Sequence, residues 1–201
     1  MRSRALPGYC TGGRNIEDLG GIIVHYFSCI NVDPENAFNL ESCRNLFLDL
    51  NRQRRAREFY MRGDVWPAGR MYASAHVLIG RTGEAWRLVE YDKQAYHAGA
   101  SILNNRSNCN RWTLGVELVG TKDSGFTTEQ YRKLAGLIVD LEIPIDMVAG
   151  HDKVRWAAIA DGSNKGPKYD PSGRKTGQGD NFNWQYLRHL VADYQLHAPV
   201  D

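Results

Sequence analysis

Short apolar runs that lead into a polar, chemically active side chain constrain the fold of this chain more than any other feature. Three of them span residues 22–24, 112–119 and 145–149. Runs of this length are typical of strands buried inside a sheet. His25 follows the first run, Glu117 lies within the second, and His151 comes just past the third. Parallel strands bring their ends to one rim of a sheet, so both histidines are expected to meet there.

Helices and a hairpin are predicted between these strands. Asp33 and Pro34 are a cap and a first-turn proline, which favours a helix start. Thr127 and Gln130 form a capping box for a second helix, and Asn183 caps the last one. The remaining predicted elements are a hairpin of residues 73–79 and 84–89, and an extended arm over residues 1–20. Strands interspersed with three helices predict a mixed sheet covered by helices, in one domain over residues 1–201 with a core at 22–196.

Composition bounds the class of protein. The 201 residues are 42% hydrophobic and 24% charged, enough for one soluble domain. The net charge of +2 is too small to indicate nucleic-acid binding. Residues 1–13 lack the apolar core of a signal peptide, and no run approaches the ~20 apolar residues of a membrane span. None of the four cysteines forms a C-x-x-C pair, so we expect no cysteine zinc site and favour reduced thiols in a cytosol.

The candidate metal ligands are two imidazoles and one carboxylate. His25, His151 and Asp170 are of the types that bind zinc, and a catalytic zinc takes three protein ligands and leaves a position for water. Pro171 fixes the backbone just after Asp170. The alternative for each histidine is a hydrogen-bonded core residue, because spacing alone does not separate the two roles.

Three further residues are candidates for chemistry. Glu117 is expensive to bury unpaired, so it is either half of a structural ion pair or a general base whose pKa burial raises. Lys168 points to the same side as Asp170 on an extended segment, where its ammonium group would stabilise an oxyanion; otherwise it is a solvated loop lysine. His97, between small residues, would bind substrate or tie down its loop. His76 is predicted to be structural.

Seven segments in order resemble the zinc-dependent N-acetylmuramoyl-L-alanine amidases of type 2. That family includes amidase-type phage lysozymes, anhydro-muropeptide recycling amidases and peptidoglycan recognition proteins. The matching segments are residues 22–25, 74–79 with 83–84, 96–99, 113–120, 128–131, 150–151 and 168–171. Two stretches depart from the pattern, an insert at residues 156–166 and the flank at 38–70.

The resemblance implies an α/β fold with a central mixed, mostly parallel β-sheet, flanking helices and a zinc groove at one sheet rim. It implies Zn²⁺ ligands at His25, His151 and Asp170. Catalytic positions fall on Glu117 and Lys168. Substrate-binding positions are predicted at His97, Tyr96 and Arg70.

The function implied is hydrolysis of the amide between the lactyl group of N-acetylmuramic acid and L-alanine of the stem peptide. The 38–70 flank and the lengthened metal loop favour a bacteriolytic, antimicrobial phage endolysin, made in the host cytoplasm and released through a holin. The alternatives are a cytosolic amidase that recycles anhydro-muropeptides, or a protein that binds peptidoglycan without cutting it. We expect a monomer whose partner is peptidoglycan or a muropeptide.

Overall fold

The structure, a computed structural model, describes residues 1–3, 10–30, 33–48, 74–99, 101–121, 123–156 and 181–197. The helices of eight or more residues in this part are α1 (Leu40–Leu48), α2 (Thr128–Asp140) and α3 (Trp184–His197). Its strands are β1 (Arg2–Ser3), β2 (Cys10–Gly13), β3 (Gly21–Phe27), β4 (Val77–Ile79), β5 (Ala85–Arg87), β6 (Lys93–Ala95), β7 (Ser101–Leu103), β8 (Arg106–Ser107), β9 (Thr113–Val119), β10 (Val148–Gly150) and β11 (Arg155–Trp156).

One six-stranded sheet organises the described chain, in the order β1-β5-β4-β9-β3-β10. The β4–β5 hairpin is antiparallel. Every other neighbouring pair is parallel. The predicted α/β fold, with a mixed and mostly parallel sheet flanked by helices, is therefore confirmed. Two smaller sheets pair β2 with β6 and place β7 between β11 and β8.

The two seven-residue strands, β3 and β9, lie inside the sheet and bury both faces, which explains their nearly continuous apolar sequences. One face carries Ile22 and Val24 of β3 and Leu114 and Val116 of β9, all fully buried. They form one core with apolar side chains of α2 and α3. The opposite face carries His25 and Glu117, because side chains alternate along a strand.

The start of α2 is fixed to the sheet by the predicted capping box. The Thr127 hydroxyl accepts from the Gln130 backbone N–H, and the Gln130 side chain accepts from the Thr127 N–H. The Gln130 amide is buried and donates to Ile79 O at 3.1 Å and to Val119 O at 2.9 Å. One side chain therefore closes the helix end and satisfies the last carbonyls of β4 and β9.

Helix α1 covers the other face through a cluster that includes Cys29, Cys43, Leu46 and Leu78. The Sγ atoms of Cys29 and Cys43 lie 3.5 Å apart without a disulfide. The hydrogen bond to Cys29, burial and nearby negative charge raise the pKa of the Cys43 thiol above its usual value. Cys43 is therefore a neutral, packed thiol.

Several element boundaries differ from the sequence prediction. Pro34–Asn36 is only a 3-10 turn, its Asp33 makes no side-chain cap, and the helix begins at Leu40. The predicted strand at 145–149 is a 3-10 turn over Ile145–Met147 followed by β10. The predicted arm contributes β1 to the edge of the main sheet and β2 to a small sheet.

Some predicted features lie outside the described residues. These are most of the 38–70 flank, the insert from residue 157 onward, Arg70, Lys168 and Asp170. Within the described ranges, no helix has both the length and the apolar character to cross a membrane.

Candidate active site

The candidate site is built on two neighbouring parallel strands. His25 of β3 and Glu117 of β9 are register partners, so their side chains leave the same face of the sheet side by side. His25 is 3% exposed and Glu117 is 9% exposed. The strand continues through Phe27, so His25 lies inside β3 and not at its end as the apolar run suggested.

His151 reaches the same place from the next strand. β10 pairs with β3 through Gly150 and Val24, and His151 follows directly. The ring centroids of His25 and His151 are 4.4 Å apart, with an angle of 59° between the ring planes. The structure therefore brings together the two imidazoles predicted to be metal ligands.

His97 adds a third imidazole beside this pair. Its Nδ1 lies 3.3 Å from His25 Nε2, and its Nε2 lies 3.4 Å from Thr113 Oγ1. Burial lowers the pKa of His97 well below its usual value, and the imidazoles of His25, His76 and His151 and the Arg14 guanidinium lower it further. His97 is therefore a neutral ring packed into the site.

Gly115 makes room for that ring. A Cβ atom at this position would lie 2.4 Å from His97 Cγ, closer than real Cβ contacts come. Gly115 is on β9, two residues before Glu117, and faces the same side of the sheet. A glycine in the middle of a buried strand is thus explained by the close approach of a functional side chain.

His76 has the structural role predicted for it. It is fully buried; its Nδ1 accepts from the Gly115 N–H at 3.0 Å, and its Nε2 donates to Lys93 O at 3.0 Å. Burial, followed by repulsion from the Arg14 guanidinium, lowers the pKa of His76 to about 3. The ring is a neutral cross-link between β4, β6 and β9.

Sequence reasoning missed two residues that support the site, Asn110 and Thr113. The Asn110 side-chain oxygen accepts from the backbone N–H groups of His97 at 3.2 Å and Ala98 at 2.8 Å. The Thr113 hydroxyl is within hydrogen-bond reach of the His97 ring. Positions 113, 115 and 117 lie on one face of the strand. The alternation of side chains around Glu117 could therefore have pointed to Thr113 from the sequence. For Asn110 we find no comparable sequence signal.

Of the remaining predicted site residues, Tyr96 is among the described ones. Tyr96 is tied to Ser74 by its backbone, with hydrogen bonds of 2.9 and 3.0 Å. Arg70, Lys168 and Asp170 lie outside the described residues. Among the residues that are described, no group of three or more His, Cys, Asp or Glu side chains is arranged to hold a metal ion. The predicted third ligand, Asp170, therefore stays a prediction.

Comparison with known proteins places this arrangement in a family. Residues 18–173 match the family model Amidase_2, described as N-acetylmuramoyl-L-alanine amidase. The chain belongs to this family. The resemblance inferred from the sequence is thereby confirmed.

Individual amidase relatives refine the comparison. The 1,6-anhydro-N-acetylmuramyl-L-alanine amidase AmpD of Salmonella typhimurium is 39% identical over 119 residues, which cover 59% of this chain and 57% of that protein. The match thus spans little more than half of that relative's length. The crystal structure of a selenomethionine derivative of AmpD has a TM-score of 0.62 at 27% identity, over 94% of this chain and 93% of that one.

An endolysin shares the fold as well. The N-acetylmuramoyl-L-alanine amidase LysCS from Clostridium intestinale has a TM-score of 0.53 over 95% of this chain and 94% of that one. Its identity is only 14%, so this likeness concerns the fold alone. Sequence similarity therefore relates the chain to a 1,6-anhydro-N-acetylmuramyl-L-alanine amidase, whereas its likeness to this endolysin is one of fold.

Proposed function

We propose that this chain hydrolyses the amide bond between the lactyl group of N-acetylmuramic acid and L-alanine, in soluble anhydro-muropeptides. The observation that carries the proposal is the convergence of His25, Glu117 and His151 in a member of this amidase family. The 39% identity to an anhydro-muropeptide amidase supports the soluble substrate over intact cell wall. A cytoplasmic location and a monomeric state remain predictions.

We also propose that a zinc ion is held by His25, His151 and Asp170. The side chains that are described fit such an ion: two imidazoles meet with centroids 4.4 Å apart at one site of the sheet. Asp170 lies outside the described residues and is included because the sequence predicts it as the third ligand. Bound zinc would polarise the scissile carbonyl and lower the pKa of water.

Glu117 is the residue that transfers the proton in this proposal. Glu117 takes a proton from the attacking water while the water oxygen forms its bond to the carbonyl carbon. The carbon–nitrogen bond breaks, and the same proton passes to the leaving amine of L-alanine. The near-complete burial of Glu117 keeps bulk water from competing for this proton. Lys168 is likewise included as a prediction from the sequence, and its ammonium group would stabilise the oxyanion.

The test is a comparison of two substrates with the purified protein. We expect release of stem peptide from an anhydro-N-acetylmuramyl tripeptide, detected by mass spectrometry, at a far higher rate than solubilisation of intact sacculi. Preference for sacculi would restore the endolysin prediction. Failure to cleave either substrate, with zinc bound, would favour a binding-only protein.

Metal content is measured on the same preparation. Elemental analysis should find about one zinc ion per chain, and Asp170→Asn should reduce it. An exposed carboxylate on α3, Asp193, provides the matched control: Asp193→Asn should leave the zinc content unchanged. A wild-type protein that neither retains nor takes up zinc would contradict the metal proposal.

A further inference from the structure

We propose that His97 is a positioning residue that sets the tautomer and orientation of the His25 ring through a hydrogen-bond chain running from Cys109 O through Thr113 and His97. This inference rests on the proposed metal-dependent function and deepens it. It gives His97 a role different from the substrate contact predicted from the sequence.

The direction of the chain is fixed at the Thr113 hydroxyl. Thr113 Oγ1 donates to Cys109 O at 2.7 Å, a short hydrogen bond that commits its only proton. Towards His97, the hydroxyl oxygen can therefore only accept. The contact of 3.4 Å between Thr113 Oγ1 and His97 Nε2 thus places the proton of the neutral imidazole on Nε2.

That proton position decides the next contact. In the ordinary neutral form of imidazole, one ring nitrogen carries the proton and the other a lone pair. With Nε2 protonated, His97 Nδ1 is the acceptor, and His25 Nε2 donates to it at 3.3 Å. His25 therefore carries its own proton on Nε2, which leaves the lone pair on Nδ1 as its metal-binding electrons. An outer hydrogen bond of this kind fixes which nitrogen of a ligating histidine meets the metal.

The His97 ring is held in place independently of His25. Asn110, itself 6% exposed, fixes the His97 and Ala98 backbone with one oxygen. Gly115 lets the ring lie directly against β9. The two rings meet edge to face, with centroids 5.4 Å apart and an angle of 87° between planes. His97 is thus a fixed acceptor against which His25 is oriented.

Paired substitutions separate the acceptor from the bulk of the ring. His97→Asn carries an amide oxygen at the place of Nδ1, whereas His97→Leu fills similar volume without an acceptor. Thr113→Ser keeps the hydroxyl, and Thr113→Val removes it. His189→Leu, on the exposed surface of α3, controls for the loss of a histidine.

The first readout is zinc affinity, measured on the metal-free protein by competition with a chromophoric chelator. We expect His97→Leu to weaken zinc binding about 10–100-fold. His97→Asn should recover most of that loss, and Thr113→Val should weaken binding more than Thr113→Ser. Equal zinc affinity in wild type and His97→Leu would overturn the proposal. If His97→Leu does not fold, the threonine pair decides: equal affinities there would also overturn it.

The second readout does not depend on metal. Nitrogen-15 chemical shifts of the metal-free protein report the tautomer of each histidine. We expect His25 to carry its proton on Nε2 in wild type and to become a mixture in His97→Leu. A proton on Nδ1 of wild-type His25 would overturn the inference even if zinc binds and the amidase is active. Absence of zinc binding and amidase activity with the expected tautomer would instead count against the proposed function.

Discussion

His25 and Glu117 are hydrogen-bond register partners on β3 and β9, so the proposed ligand and the proposed base are fixed to each other by backbone. Their relative position does not depend on a loop. On one side of this pair, His151 directly follows β10, and on the other side β4 carries Leu78. The proposed chemistry therefore sits on paired strands of the sheet, which favours precise orientation of catalytic groups.

The first prediction concerns the proton-transfer role of Glu117. Glu117→Gln keeps the shape of the side chain but cannot accept a proton, so kcat should fall about 10²–10⁴-fold. Zinc content should stay at the wild-type value. Glu129→Gln, on the exposed first turn of α2, should leave kcat unchanged. Wild-type kcat in a zinc-loaded Glu117→Gln protein would remove Glu117 from the mechanism.

The second prediction concerns the space that Gly115 provides. Gly115→Ala would force its Cβ against the His97 ring, so the free energy of unfolding should fall by about 1–3 kcal/mol. Gly136→Ala in α2 is the matched control, because its Cβ would meet Tyr194 at an ordinary 3.7 Å. In urea unfolding, the Gly136→Ala control should show a free energy of unfolding about 0.5–1 kcal/mol higher than wild type. Equal effects of the two substitutions would contradict the packing seen here.

The third prediction concerns stability at low pH. The folded pKa of His76 is about 3, against about 6.5 in an unfolded chain. Between these values the unfolded chain binds a proton that the folded chain does not, so the free energy of unfolding should decrease as pH falls below about 6.5. One such group contributes a slope of about 1.4 kcal/mol per pH unit.

Urea unfolding at several pH values between 7 and 4.5 measures that slope. His76→Asn keeps an acceptor for the Gly115 N–H and should lower the slope by roughly one proton's contribution. His189→Asn removes an exposed histidine and should leave the slope unchanged. An unchanged slope in His76→Asn would mean that His76 titrates normally in the folded protein.

The fourth prediction concerns Arg14, which joins the N-terminal segment to the site. Its guanidinium donates to Tyr91 O and Thr113 O at 2.7 Å and to Asn110 O at 3.3 Å. Burial lowers the pKa of Arg14 to about 10. Arg14→Lys keeps the charge but loses the planar guanidinium that makes these hydrogen bonds. The free energy of unfolding should therefore fall by about 1.5–3 kcal/mol. Arg188→Lys on the exposed face of α3 should change stability little, and a similarly small effect at Arg14 would contradict this role.

The sequence predicted the central strands and the α2 capping box because these depend on local pattern. It predicted the His25–His151 pairing because parallel strands share a rim. It did not predict that β3 continues beyond His25. Tyr26 and Phe27 extend the strand by pairing with Leu118 and Val119 of β9, a tertiary interaction that no local period reveals.

The other differences have causes that the apolar pattern does not show. Pro144 O accepts from Met147 N–H at 2.8 Å, which turns Ile145–Met147 into a 3-10 helix despite the apolar side chains of Ile145 and Met147. The role of Asn110 depends on contacts with residues 12 and 13 positions away, made by a side chain with no distinctive neighbours. Such contacts follow from the fold and are not visible in spacing.

The strand order also dictates when the site can form. β3, from the beginning of the chain, lies between β9 and β10, which come about 90 and 125 residues later. One hydrogen-bonding edge of β3 therefore remains unmatched during synthesis until residue 119 has left the ribosome, and the other until residue 150 has done so. Closing such long chain segments before contacts form makes folding slow, so newly made protein should depend on chaperones more than a helical bundle of this size.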